Sequence, residues 1–118
     1  MAITVTEVES RDPKPDSVHW QLNFYSANAT GNETILAAVA GSTHCIEHLD
    51  ISWESATESV VLNADATAVY GPIATIIGHI HENFHNPMSF GSGKAIKIDA
   101  EGAWHVQGFI EGFTVKDN

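Results

Sequence analysis

The chain is short of basic residues, of cysteine and of long apolar runs. Only five of its 118 residues are Lys or Arg, against fifteen Asp and Glu, for a formal charge of −10. Phosphate contacts need clustered Lys and Arg, so general nucleic-acid binding is disfavoured, as is attachment to an anionic membrane surface. The acidic residues are scattered (Glu7, Glu9, Asp12, Asp16, Glu33, Glu47, Asp50, Glu54, Glu58), as on a solvated surface. One cysteine, Cys45, excludes an intrachain disulfide and suits a reducing compartment. No apolar stretch is long enough to span a bilayer. The start, "MAITVTEVES", lacks the basic region and apolar run of a secretion signal, so synthesis and folding in a cytoplasm are expected.

What is present is β-pattern. In "VHWQLNFYS" (18–26), Val18, Trp20, Leu22 and Phe24 share one face, and His19, Gln21, Asn23 and Tyr25 the other. "ANATGN" (27–32) is a turn cluster, and the alanine-rich "ETILAAVAG" (33–41) fits helix or strand. "HCIEHLDISW" (44–53) alternates at least in its second half; "ESVVLNA" (58–64) is a short strand. "TAVYGPIATIIGHIH" (67–81) reads as a strand broken at Gly71-Pro72 and then resumed. "ENFHNPMSFGSG" (82–93) reads as a long loop, "KAIKIDA" (94–100) as a strand, and "AWHVQGFIEGFTV" (103–115) as a strand bulged at its glycines. About eight short strands without a long amphipathic helix predict an all-β protein: an antiparallel, jelly-roll-like β-sandwich over residues 18–118. Residues 1–17, with Pro13 and Pro15, read as an extended N-terminal arm that pairs with a neighbour's sheet or moves freely.

From about residue 33 onward the chain resembles small jelly-roll structural proteins of tailed bacteriophages. The residues that carry the resemblance are "LAAVAG" (36–41), the alternating "CIEHLDISW", the Gly71-Pro72 step, "NPMSFGSGKAIKI" (86–98) and "VQGFIEGF" (106–113). The resemblance covers roughly two thirds of the chain. It implies a virion component, foremost a trimeric capsid decoration or cement protein whose partner is the major capsid protein, made in the host cytoplasm. A head-fibre or tail-associated protein that binds a receptor or glycan is the alternative. No catalytic residue and no cofactor follow from the resemblance, and the histidine-rich "GHIHENFH" departs from the pattern.

That stretch is the first chemical candidate. Residues two apart on a strand point the same way, so His79 and His81 share a face, and His85 follows in the expected loop. Three neutral imidazoles suit zinc, and cupin-type metal sites begin with a His-x-His strand. Those sites carry a Glu a few residues later, whereas Glu82 follows at once and faces the other way. The metal candidates are therefore His79, His81 and His85, within the chain or at a subunit interface, with a cupin-like metal-binding enzyme as a further alternative function, weighed against an exposed strand end.

"HCIEH" (44–48) matches the H-x-x-E-H pattern of certain zinc peptidases, which needs a helix to bring both histidines to one face. Here it runs straight into a strand. An uninterrupted strand places His44, Ile46 and His48 on one face and Cys45, Glu47 and Leu49 on the other, parting the glutamate from both histidines. Cys45 reads as a buried thiol rather than a nucleophile. "GSGK" (91–94) lacks the earlier glycine and following Ser or Thr of a phosphate loop and reads as a turn. The aromatics Trp20, Trp53, Trp104, Phe24, Phe109 and Phe113 are expected in the core, and a sugar platform would need one or two exposed on a sheet face.

Overall fold

A computed structural model describes residues 3–14, 17–26, 31–54, 60–73, 78–100 and 105–117. These form nine strands: β1 (Thr4–Lys14), β2 (Ser17–Ser26), β3 (Asn32–Leu36), β4 (Ser42–Glu54), β5 (Val60–Ala64), β6 (Thr67–Ile73), β7 (Gly78–Ser92), β8 (Ile96–Asp99) and β9 (His105–Lys116). They build a five-stranded sheet in the order β1-β2-β9-β4-β7 and a four-stranded sheet in the order β3-β8-β5-β6. The pairings β2·β9, β3·β8, β4·β7 and β5·β6 are all antiparallel. The chain is thus one long antiparallel ribbon whose tip is the β5–β6 hairpin. Wrapping that ribbon into two sheets is the jelly-roll arrangement, and the β-sandwich expected from the alternation is what forms.

The apolar faces meet between the sheets. Trp20, Leu22 and Phe24 of β2, Ile46, Leu49, Ile51 and Trp53 of β4, and Val106 and Ile110 of β9 pack with Ile35, Val60, Leu62, Ile96 and Ile98 of the other sheet. Each such side chain contributes about 1.5–3 kcal/mol when fully buried. Val18, expected inward with Trp20, is 43% exposed at the end of the strand.

The two glycines of "VQGFIEGF" are not bulges. Gly108 and Gly112 occupy inward positions of β9, directly opposite Phe24 and Trp20. A Cβ on Gly108 would lie 2.7 Å from Phe24 Cζ, and one on Gly112 would lie 2.9 Å from Trp20 Cη2. The large rings of β2 therefore lie over bare backbone. With glycine facing in, Phe109 and Phe113 face out, and both are half-buried on the outer face instead of in the core. Trp104 lies outside the described residues.

Other readings change with pairing. Residues 33–41 are strand only to Leu36 and then lead to a turn ending in the left-handed Gly41. Gly71, also at positive φ, sits with Pro72 opposite Val61, an extra residue in β6 and hence a bulge rather than a break. The segment 82–93, expected as a loop, is strand as far as Ser92, because Met88, Ser89 and Ser92 pair with Ile46, Cys45 and Thr43. Its turn-like residues are accommodated locally: Phe84–Pro87 stand opposite the single residue Glu47. Residues 4–14, read as an arm, pair with β2 of their own chain from Thr4↔Tyr25 to Lys14↔Ser17.

Candidate functional site

The outer face of the five-stranded sheet gathers most of the chemistry. Strand register fixes its rows: Tyr25–Gln107–Ser52–His79, then Asn23–Phe109–Asp50–His81, then Gln21–Glu111–His48–Asn83, across β2, β9, β4 and β7. Five of the seven histidines lie on this face: His19, His48, His79, His81 and His105.

His79 and His81 do share a face, as their spacing predicts, and they meet on Asp50. His79 Nε2–H donates to Asp50 Oδ1 at 2.6 Å and His81 Nδ1–H to Oδ2 at 3.1 Å. Hydrogen bonds from His79 first and His81 second hold the Asp50 carboxyl below its ordinary range. The His81 ring also meets His48 edge-on, with centroids 5.0 Å apart. His85 is not part of this group; it is exposed in the Phe84–Pro87 protrusion. Among the described residues, no three His, Cys, Asp or Glu side chains are arranged to hold a metal ion. The pair also faces outward, whereas the sandwich interior is filled with apolar side chains.

A second acid–histidine relay lies one row away. His105 Nε2 is 3.6 Å from Glu54 Oε1, and its Nδ1 is 3.1 Å from the Tyr25 hydroxyl. With the Nε2 proton turned to the carboxylate, Nδ1 accepts from Tyr25, and the two rings lie 6.1 Å apart at 32°. Two shallow depressions flank this relay. One, of about 470 Å³, is lined by Asn23, Tyr25, Asp50, Ser52, Gln107 and Phe109. The other, of about 350 Å³, shares Ser52 and Gln107 and adds Glu54, Gly78 and His105.

The "HCIEH" segment is split, though not as alternation predicts. The register of β4 shifts between Ile46 and His48 against both neighbours: Glu47 is an extra residue against β9, while against β7 it faces Phe84–Pro87. Upstream of that bulge His44 and Ile46 point inward; downstream Leu49 does, and His48 turns outward. Glu47 is 3.5 Å from His19 Nε2. His44 is 1% exposed and fully hydrogen-bonded. Its Nε2–H donates to the Ala37 carbonyl at 2.8 Å, and Nδ1 accepts from the Thr114 hydroxyl at 2.7 Å. Thr114 accepts in turn from Trp20 Nε1 at 2.9 Å. His44 is therefore a structural pin that ties the alanine-rich segment to the core.

Cys45 is buried, and burial pushes its thiol up, against the lowering effect of a hydrogen bond with Ser89. The "GSGK" turn spends the Gly93 amide on the Ser42 carbonyl at 2.8 Å, and Lys94 lies 3.8 Å from Asp65.

Comparisons of the chain with protein-family models, with curated proteins and with solved structures find no match.

Proposed function

We propose that the protein is a non-enzymatic structural component of a bacteriophage virion, a capsid decoration protein that binds the major capsid protein and stabilises the shell. One observation carries the reading. The stretches behind the phage resemblance each have a defined task in the jelly-roll ribbon. "LAAVAG" leaves β3 and is pinned through Ala37 to His44. Gly71-Pro72 forms the β6 bulge. "NPMSFGSGKAIKI" joins β7 to β8, and "VQGFIEGF" seats the β2 aromatics. These tasks support the jelly-roll fold that the resemblance implies, and the virion role rests on the resemblance itself.

The mechanism needs no pocket. A trimer placed where capsid subunits meet engages several at once, so individually weak contacts act at high effective concentration. β1 and β7 are the edge strands of the five-stranded sheet and leave backbone groups for a partner strand.

The test has two parts. Native mass spectrometry of untagged protein is expected to give an assembly of three 12.7 kDa chains. Mixing with purified capsids that lack the protein is expected to give saturable co-sedimentation. A monomer that fails to sediment with capsids overturns the reading.

A further inference from the structure

We propose that the outer face of the five-stranded sheet carries a binding site for a neutral hexose oligosaccharide, stacked on Tyr25 and hydrogen-bonded by Asn23, Gln107 and Asp50. The proposal goes beyond the decoration role and does not depend on it. Tyr25, the penultimate residue of β2, is 41% exposed, which leaves part of its ring open to a ligand. The apolar C–H face of a pyranose suits the electron-rich face of an aromatic ring. The ring is also pre-positioned. Its hydroxyl is tied to His105, which Glu54 orients, so little rotamer freedom is lost on binding.

Around the ring lie the groups that read hydroxyls. Asn23, Ser52 and Gln107 line the depressions with polar side chains whose donors and acceptors match sugar hydroxyls. Asp50 Oδ1 and Oδ2 each accept one bond from histidine and retain lone pairs for a further donor. The two depressions join through Ser52 and Gln107 into one trough across β2, β9 and β4. Three strands at the usual spacing span about 10 Å, the length of about two linked pyranose rings. Charge decides between sugar classes. Among the described residues, no Lys or Arg lines either depression, while Asp50 and Glu54 do, so sialylated, sulfated or phosphorylated glycans are disfavoured.

The test is an amide NMR titration of the intact ¹⁵N-labelled protein with cellohexaose, maltohexaose, laminarihexaose and chitohexaose, with sialyllactose and heparin as anionic controls. At least one neutral hexasaccharide is expected to move resonances along Asn23–Tyr25, Asp50–Glu54 and Gln107–Phe109. A shallow open trough implies a dissociation constant on the order of 0.1–1 mM. Tyr25→Ala is expected to weaken binding at least tenfold and Gln107→Ala several-fold. Thr34→Ala, on the four-stranded sheet, is expected to change nothing. A wild-type thermal melt for each variant removes misfolding as a cause. The proposal fails if no neutral hexasaccharide shifts the trough at tens of millimolar. It also fails if folded Tyr25→Ala binds as wild type, or if the anionic controls bind better. None of these results bears on capsid binding or oligomer size, which test the decoration role separately.

Discussion

His44 and His48 are four residues apart on one strand, yet one is sealed in the core and the other joins a row of exposed imidazoles. A single extra residue, Glu47, separates them, and by shifting the register it exchanges inside for outside. The inner histidine has both ring nitrogens satisfied by fixed partners, Ala37 and Thr114, and serves architecture. The outer group of His48, His79 and His81 around Asp50 is open to water and available to a ligand. Residue type did not decide the role. The bulge did, together with the glycines of β9 that allow the aromatics to cross to the outer face.

The strongest way to break this contrast is to disturb the backbone where β4 shifts. Gly112 pairs with Ile46, and a Cβ there would collide with the Cys45 carbonyl and crowd Trp20. Gly112→Val is expected to cost about 3 kcal/mol or more, or to prevent folding, since the obstacle is backbone and not a movable side chain. Chemical denaturation reads the loss.

Removing the inner histidine comes next. His44→Ala leaves the Ala37 carbonyl without its donor and the Thr114 hydroxyl without its acceptor, and it opens a cavity beside Trp20. A loss of about 2–4 kcal/mol is expected. His48→Ala, with its ring half-exposed, is expected to stay within about 0.5 kcal/mol of wild type. Equal effects for the two substitutions would dissolve the contrast.

The smallest effect belongs to Asp50. Its carboxyl is held below the ordinary range when folded, so the stabilisation it gives is present above about pH 4 and is lost as pH falls through its lowered folded value. Because the group is exposed, Asp50→Asn is expected to cost under about 1 kcal/mol at neutral pH. That gap should close on acidification, and unfolding curves between about pH 6 and pH 2 measure it. A constant gap would show that the lost hydrogen-bond geometry matters and the charge does not.

Strand periodicity made much of the fold readable: Trp20, Leu22 and Phe24, the second half of β4, and Ile96 with Ile98 all face inward where alternation puts them. Pairing across long sequence distances did not show. Nothing local tells that Asn86, Pro87 and Gly91 belong to β7, because their strand state is imposed by β4. The same holds for the candidate site. That His79 and His81 share a face follows from spacing, but their partner Asp50 follows only from the β4–β7 register. For Phe109 a signal was present and read the wrong way: glycine at positions 108 and 112 alternates with Val106 and Ile110, which assigns the glycines, not the phenylalanines, to the inside.

The ribbon has a further consequence for how the molecule is made. β9, which sits between β2 and β4 in the larger sheet, is the last of the nine strands to be synthesised. Until it leaves the ribosome, β2 and β4 each present an open hydrogen-bonding edge beside exposed apolar rings, a state prone to aggregate. The local hairpins β1–β2 and β5–β6 can close early, and zipping outward from β5–β6 ends with β2 and β9. Folding is therefore expected to wait for β9 and to be slow for this length, on the millisecond-to-second scale of proteins dominated by distant contacts.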